Sequence, residues 1–317
     1  MRDAPYDMFV PRFSNTPIAQ RSALALNGHS RIASSLACRW ILSLAGAAMF
    51  AAPAATAHGS EFFATQVIAT SPGSFQDPAF SDPTLALGGP RGGGTSQGSL
   101  DVYNLGVGGS ITLGFDDGAQ QHGIFDGPGP DFTVFENPFY AGGNTHASFA
   151  ELMFVSVSTN GVDFARFPVV SNTPAPVSAF GTIDPANVSG FAGVTPVLAY
   201  VDTNTVDPFD ASVSGGDSFD LSALSSDPLV TSGKVNLSAI RYVRLDDVVG
   251  DGSLTDENGH PIYDPTGPGN NGADLDAIAV INGGIAIAPE PSGTWIVGGA
   301  AAAVLLLRRR SRAWRLE

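Results

Sequence analysis

The sequence predicts an all-β body, a β-sandwich of the jelly-roll type with long Asp/Gly-rich loops, and one apolar helix near each end of the chain. Short runs rich in β-branched and aromatic residues recur between clusters of Gly, Asp and Pro, which is typical of a sandwich. Residues 58–288 show no capped amphipathic helix of three turns and no repeat of fixed period, which disfavours a propeller or a β-helix. The 317 residues therefore divide into three parts, 1–57, 58–288 and 289–317.

Five runs of the body carry the strongest strand signal. In residues 111–115, Ile111, Leu113 and Phe115 alternate onto one face. The other strong runs are 132–136, 151–157, 240–245 and 277–281, and the weaker ones are 65–69, 101–105, 162–167 and 196–201. Asn160 and Gly161 between two runs predict a tight hairpin turn of the primed type, because both residues accept positive φ.

The net charge of −15 is distributed unevenly along the chain. Each terminal part has a net charge of +3, whereas residues 58–288 hold 26 acids and five bases, a net charge of −21. A body this acidic repels the phosphate backbone, which excludes nucleic acid as a partner. The body is instead suited to bind cations.

The N-terminal part has the layout of a secretory signal peptide behind a long leader. An uninterrupted apolar run, residues 40–50, follows Arg31 and Arg39, and a small-x-small site ends at Ala57. We expect signal peptidase to cut between Ala57 and His58. The only cysteine of the sequence lies inside this segment, so we expect no disulfide in the processed protein.

The C-terminal part combines a short motif, an apolar segment and a basic tail. Pro289, Glu290 and Pro291 precede residues 294–307, which as a helix would reach about 21 Å, short of the roughly 30 Å hydrocarbon core. Basic side chains in residues 308–315 lengthen this span by reaching towards the interface and orient the C-terminus to the cytoplasm. These basic residues are Arg308, Arg309, Arg310 and Arg312.

In this order and position, residues 289–315 resemble the PEP-CTERM sorting signal of Gram-negative exported proteins. The resemblance implies that an exosortase, a membrane protease-transpeptidase, cuts the chain near 289–291 and releases or re-anchors it. It also implies a precursor held in the inner membrane by the C-terminal helix. The processed protein would then lie at the cell surface or in the extracellular matrix, in association with exopolysaccharide and biofilm. An ordinary C-terminal membrane anchor is the alternative.

The Asp-rich loops of the body predict a structural calcium ion. Ca²⁺ needs about six to eight converging oxygen ligands, and unpaired carboxylates that lie close together repel one another without a cation. The runs that start at Asp202 and at Asp251 both lack the glycine that an EF-hand loop requires. The predicted ligands are Asp131, Asp246, Asp247, Asp251, Asp274 and Asp276. The alternative is that these aspartates only cap turns.

Three stretches of the body, residues 132–137, 246–252 and 272–282, also resemble extracellular domains of bacterial surface proteins that have galactose-binding-like sandwiches. This second resemblance is limited to short stretches. It implies the same fold class as the strand pattern and transfers no binding residues.

Three functions follow from these features. The processed chain lacks cysteine, a Gly-x-Ser-x-Gly elbow and a zinc motif, which favours a non-catalytic envelope or matrix component over a glycan-active hydrolase or lyase. A carbohydrate-binding module is the second possibility, with loop aromatics such as Tyr140, Phe191, Phe209 and Tyr263, although such residues more often pack as plugs. Exposed aromatics grouped on one face would favour binding, and a cleft lined by two carboxylates and a histidine would favour an enzyme.

Overall fold

The computed structural model describes residues 60–285, so both predicted terminal helices and the two processing sites lie outside the described residues. Within this range the chain forms twenty strands, one short α-helix and six 3₁₀ turns. None of the helices in residues 60–285 has the length and apolar character needed to cross a membrane. The described body is therefore all-β, as predicted.

The strands, in chain order, are β1 (Ser60–Phe63), β2 (Gln66–Ser71), β3 (Tyr103–Asn104), β4 (Ser110–Gly114), β5 (His122–Ile124), β6 (Phe132–Phe135), β7 (Phe139–Tyr140), β8 (Ser148–Phe149), β9 (Met153–Ser158), β10 (Ala165–Arg166), β11 (Val170–Ser171), β12 (Val177–Ser178), β13 (Val188–Ser189), β14 (Asp217–Phe219), β15 (Tyr242–Asp247), β16 (Asp251–Thr255), β17 (Pro261–Tyr263), β18 (Pro265–Thr266), β19 (Asp274–Leu275) and β20 (Ala277–Ile285). The α-helix is α1 (Pro228–Thr231). The 3₁₀ turns are Pro78–Phe80, Pro83–Ala86, Ala141–Gly143, Pro185–Asn187, Leu221–Leu224 and Leu237–Ala239.

Ten of these strands form two five-stranded sheets. The first sheet has the order β1–β20–β6–β14, with β5 also paired to β20, and the second has the order β10–β9–β15–β4–β2. All strand pairs within the two sheets are antiparallel. The other ten strands form five short pairs in the loops.

One apolar core joins the two sheets. Phe132 and Ile278 of the first sheet and Leu113 and Val155 of the second are fully buried in the same cluster. The ring of Phe132 stacks on that of Phe219, with the ring centroids 5.3 Å apart. Burial of such side chains supplies most of the favourable free energy of folding, so the described body is sandwich-like.

The strongest strand predictions are confirmed, with boundaries shifted by one or two residues in most of them. Strands β4, β6, β9, β15 and β20 overlap the five strong runs. Three weaker runs contain or overlap β2, β3 and β10, whereas residues 196–201 form only isolated bridges, at Val197 and Tyr200. Local pattern thus located the sheet strands better than the loop segments.

The predicted primed turn between β9 and β10 is wrong, although these strands do form an antiparallel pair. Residues 159–164 separate the two strands, and Gly161 has a φ of +75° while Asn160 does not have a positive φ. The Oδ1 atom of Asn160 instead accepts hydrogen bonds from the backbone N–H groups of Val162 and Asp163, at 2.8 and 2.9 Å. This Asx turn satisfies two backbone N–H groups of the loop and does not require the positive φ that a primed turn would need at Asn160.

The first and last strands of the described body lie side by side. Ser60, at the start of β1, lies opposite Gly283, near the end of β20. Among the strands of residues 60–285, β20 is the only partner of β1, and it pairs with β5 and β6 as well. Both ends of the described chain therefore leave the same sheet at neighbouring positions.

Candidate metal centre

Five carboxylates from distant parts of the chain gather where several strands end. Glu136 directly follows β6, Glu151 precedes β9, Asp247 ends β15, Asp264 lies between β17 and β18, and Asp274 begins β19. The first four side chains are buried, and Asp274 is half-buried. We call this group the carboxylate cluster.

The segment 270–274 connects the carboxylate cluster through hydrogen bonds. The side-chain amide of Asn270 donates to Glu151. The backbone N–H of Ala273 donates to Asp247 at 2.7 Å, and that of Asp274 donates to Glu136 at 2.9 Å. Three carboxylates from three different strand ends therefore contact a single five-residue segment.

Two asparagines and one further backbone group complete the surroundings of the carboxylate cluster. Asn104, on the strand paired with β19, donates to Asp274 Oδ1 at 2.9 Å, and Asn137 lies 3.5 Å from the other oxygen of Asp274. The backbone N–H of Leu152 donates to Asp264 Oδ2 at 2.9 Å. Each of the five carboxylates thus holds at least one N–H donor on one of its oxygens.

Burial raises the pKa of all five carboxyl groups, and their mutual repulsion raises it further for four of them. For Glu136, burial is the main cause, followed by the charges of Glu151 and Asp274. Burial and the charges of Asp274 and Asp247 likewise hold the pKa of Glu151 well above its usual range. Burial raises the pKa of Asp247 to about 7, although two backbone N–H donors oppose the change. The pKa of Asp264 is raised mainly by burial and then by Asp247 and Glu151, and that of Asp274 mainly by burial.

Two buried oxygen atoms of the carboxylate cluster accept no hydrogen bond from the described residues. They are Oε2 of Glu136 and Oδ1 of Asp264. A buried polar atom without a partner costs about 1–3 kcal/mol, and more when it carries charge, so such atoms in a native protein indicate an absent partner or a functional role.

The basic side chains of the described body are engaged away from the carboxylate cluster. No ion pair within residues 60–285 includes any of its five members. The pairs that the bases do form are Arg91 with Asp101 and Asp202, Arg166 with Glu257, Lys234 with Asp163, and Arg244 with Asp246, while Arg241 lies over the ring of Tyr242. Within the part of the chain that the structure describes, the carboxylate cluster thus has no basic counter-charge.

Asp131 lies in a different place, fully buried before β6. Its carboxylate accepts hydrogen bonds from the backbone N–H groups of Gly127 and Leu221, at 2.8 and 2.7 Å, and from the amide of Asn282 at 2.9 Å. Asp126 and Asp220 are close enough for one oxygen of each to lie within 4.8 Å of Asp131. Among the described residues, these three aspartates form the acidic group with the spacing of a cation site, and the three donors on Asp131 also give it a structural role.

The other three predicted ligands lie apart from the carboxylate cluster. Asp246 is paired with Arg244 at 2.9 Å, and Asp251 is exposed and accepts a hydrogen bond from its own turn. Asp276 is buried, but both of its oxygens accept the backbone N–H of Arg91, and burial raises its pKa to about 8. Of the six predicted ligands, the structure therefore brings together only Asp247 and Asp274.

The sequence reasoning did not include Glu136, Glu151 and Asp264 among the ligands. A usable signal existed for the two glutamates, because residues 58–288 contain only four glutamates and these two border strongly apolar strand runs. Asp264 follows a short, weak strand and carries no comparable signal.

A separate feature of the surface is a pair of exposed phenylalanines. Phe75 and Phe180 are 78% and 75% exposed. Phe75 lines a pocket together with Val107, Pro268 and Gly269, and the ring of Phe180 lies against Gly269. Phe75 is also the only non-glycine residue in 60–285 with a positive φ, +61°. A bulky residue with a positive φ is uncommon, so Phe75 combines an exposed ring with a strained backbone.

The carboxylate cluster offers only oxygen atoms, and the three histidines within residues 60–285 lie beside other acids, namely Asp117, Asp184 and Asp256. No family model, no curated protein and no solved structure matches this chain.

Proposed function

We propose that the chain is an exported, exosortase-sorted and non-catalytic protein of the cell surface or extracellular matrix, associated with exopolysaccharide. The observation that carries the proposal is the position of the folded body between the two predicted processing sites. The described residues 60–285, which hold all twenty strands, lie between the Ala57–His58 bond and the motif at 289–291. Cleavage at either site would leave all twenty strands intact.

The arrangement of the strands is consistent with this proposal. Strands β1 and β20, the first and last strands of the described residues, are hydrogen-bonded to each other, so the two ends of the folded body lie side by side. The antiparallel pairing within both sheets also supports the finer proposal that the body is a jelly roll of the galactose-binding-like kind.

The surroundings of the buried acids support a non-catalytic role. A glycosidase uses two carboxylates that flank an open cleft. In this body Glu136, Asp247 and Asp264 are buried rather than placed on an open cleft, and burial is the main cause that raises the pKa of each. We therefore favour a structural role for these acids.

Replacing Pro289, Glu290 and Pro291 together with alanine should leave the full-length precursor in the inner membrane. The change removes the motif that the exosortase would recognise while the folded body is untouched. Immunoblots of membrane and released fractions, from an exosortase-positive Gram-negative host that produces the full chain, measure the result. Ser292→Ala serves as the matched control and should be processed normally. Normal processing of the triple variant would refute the sorting proposal.

A carbohydrate-binding module remains the second candidate because two exposed aromatics flank one loop. Phe75 and Phe180 both contact Gly269 or its pocket, and an aromatic face suits the apolar side of a sugar ring. The loop aromatics predicted from the sequence are less suitable. Phe191 is buried, and Phe209 stacks on Phe63 with ring centroids 4.7 Å apart.

Two substitutions of Phe75 test separately the strain of its backbone and the contribution of its ring to glycan binding. Phe75→Ala and Phe75→Gly should both abolish binding of the full chain on a glycan array, because both remove the ring. The glycine variant should be more stable than the alanine variant by about 1 kcal/mol, because a φ of +61° strains alanine and not glycine. Urea unfolding measures this difference, and Val162→Ala, at another exposed apolar side chain, is the binding control. If both variants still bind glycans, the surface around Phe75 is not the glycan-binding site.

A further inference from the structure

We propose that the carboxylate cluster is a pH switch, in which protons on Glu136 and Asp264 let the buried acids pack together and their loss releases segment 270–274 from the strand ends. Among the described residues, no three members of the cluster have ligand oxygens within 4.8 Å of one another. Asp247 and Asp274 are therefore not the ligands of one shared ion. The proposal does not depend on export, sorting or glycan binding, so each of these can fail without the others.

The first argument is that two buried oxygens of the cluster have no donor. Glu136 and Asp264 are each 2% exposed. One oxygen of Glu136 accepts the backbone N–H of Asp274, but its Oε2 accepts no hydrogen bond from the described residues. One oxygen of Asp264 likewise accepts the backbone N–H of Leu152, and its Oδ1 accepts none. Because a charged oxygen without a partner is costly to bury and a protonated one carries no charge, these two atoms favour a proton.

The second argument is the contrast with Asp247 and Asp274, whose oxygens all have donors. Two backbone N–H groups donate to the two oxygens of Asp247, both at 2.7 Å. Two asparagine amides lie 2.9 and 3.5 Å from the two oxygens of Asp274. Hydrogen bonds to a carboxylate favour its charged form. As the pH rises, Asp247 and Asp274 therefore lose their protons before Glu136 and Asp264 do.

The third argument is that like charges surround the two acids that hold protons. Negative charges of other cluster members act on both Glu136 and Asp264. They are Glu151 and Asp274 for Glu136, and Asp247 and Glu151 for Asp264. The charge that acts on the cluster from the segment before the first 3₁₀ turn is that of Asp77, and it is negative too. No Lys or Arg of residues 60–285 forms an ion pair with a member, so each lost proton adds an uncompensated charge.

Segment 270–274 is the part of the body that this repulsion would release. The side-chain amide of Asn270 and the backbone N–H groups of Ala273 and Asp274 donate to three members of the cluster. The segment also carries the carboxylate of Asp274, so its displacement separates one charge from the others. Its last residue belongs to the two-residue pair β19–β3, which lies outside both five-stranded sheets. Opening of the segment would therefore leave the two sheets intact.

The direction of the pH effect depends on which state holds more protons. Burial and like charges raise the pKa of Glu136 and of Asp264 well above the usual range of a carboxyl group. The closed cluster therefore keeps protons that exposed carboxyls would release above about pH 4. By linkage, the closed form is favoured in acid and loses stability as the pH rises.

Hydrogen exchange of the full chain, purified in a mild detergent with EDTA and followed by mass spectrometry, tests the switch. Peptides that cover residues 270–276 should lose about 100-fold in protection factor between about pH 5 and about pH 8, after correction for the intrinsic exchange rate. Peptides that cover β4, which holds no member of the cluster, should lose less than about tenfold. Far-UV circular dichroism should stay the same, because both sheets remain paired.

Glu136→Gln and Asp264→Asn replace each protonated acid with a neutral amide of similar shape. Each should reduce the loss of protection at least about tenfold, and the double variant should stay closed at about pH 8. Asp247→Asn should have the opposite effect and open the segment even at about pH 5, because its NH₂ group would face a backbone N–H donor. Asp217→Asn, at an acid of β14 whose pKa burial raises to about 6, is the matched control and should respond as the wild type does.

Several results would overturn the proposal. Residues 270–276 could be equally protected at both pH values, or both amide variants at Glu136 and Asp264 could keep the wild-type response. Failure of Glu136→Gln to fold in acid would also contradict it, because the amide there only replaces a protonated acid. Loss of the response in Asp217→Asn would place the switch elsewhere. Full recovery of protection at the higher pH on addition of CaCl₂ would show that a cation, and not protons, neutralises the cluster.

Discussion

Replacing Gly250 with alanine should lower the free energy of unfolding by about 3–5 kcal/mol. Gly250 has a φ of +71°, and a Cβ atom at this position would lie 1.6 Å from Oδ1 of Asp264. The Asp264 carboxylate would therefore have to move, and its hydrogen bond with the backbone N–H of Leu152 would be lost. One methyl group thus disturbs both the loop and a member of the carboxylate cluster.

Gly233→Ala is the matched control for this substitution. Gly233 has a similar φ, +76°, but a Cβ atom there would have no neighbour within 4 Å. This variant should be destabilised only by the strain of the left-handed backbone, about 1 kcal/mol. Urea unfolding followed by circular dichroism measures both variants, since the body contains no tryptophan. Equal losses in the two variants would show that the contact with Asp264 does not matter.

Replacing Asp131 with alanine should destabilise the body by about 3–6 kcal/mol, because three N–H donors would lose their acceptor. These donors belong to Gly127, Leu221 and Asn282, which lie in three different segments around the start of β6. Asp131→Asn keeps one acceptor oxygen and should lose a smaller part of the stability. Unfolding is best measured in EDTA, so that a change in ion binding does not contribute.

Asp126→Ala provides the comparison for Asp131. Asp126 is exposed, so its removal should change the stability by no more than about 0.5 kcal/mol. If Asp131→Ala unfolds as the wild type does, the hydrogen bonds of Asp131 are replaced by water and the structural role assigned to it is wrong.

The strands of the two sheets could be predicted from sequence because their signal is local. Strand β20 begins at the predicted Ala277 and continues to Ile285, and β6 ends one residue before the predicted end. Burial of an apolar face imposes a pattern on each strand whatever its partners are. Loop conformation was less predictable, because the Asx turn of Asn160 competes with the primed turn that the same residues favour.

The site could be predicted only in part because its members meet through tertiary pairing. Asp247 and Asp274 lie in Asp-rich runs and were recognised, whereas Asp251 lies in such a run and is exposed. Glu151 joins the others only through the contact of its segment with Asn270. No local pattern distinguishes an aspartate that caps a turn from one that lies in a buried cluster, because aspartates of both kinds occur in similar loop sequences.

The position of β20 also determines when the body can fold. The first sheet depends on β20 for its contacts with β1, β5 and β6, and β20 is the last strand of the described chain. Strand β1 is the first of the described strands to be synthesised, yet it cannot pair until β20, its one partner within residues 60–285, has followed. Such pairing between the two ends of a chain slows folding, because the loop-closure entropy is lost before the contacts form. The first sheet should therefore remain incomplete until nearly the whole of residues 60–285 has been synthesised.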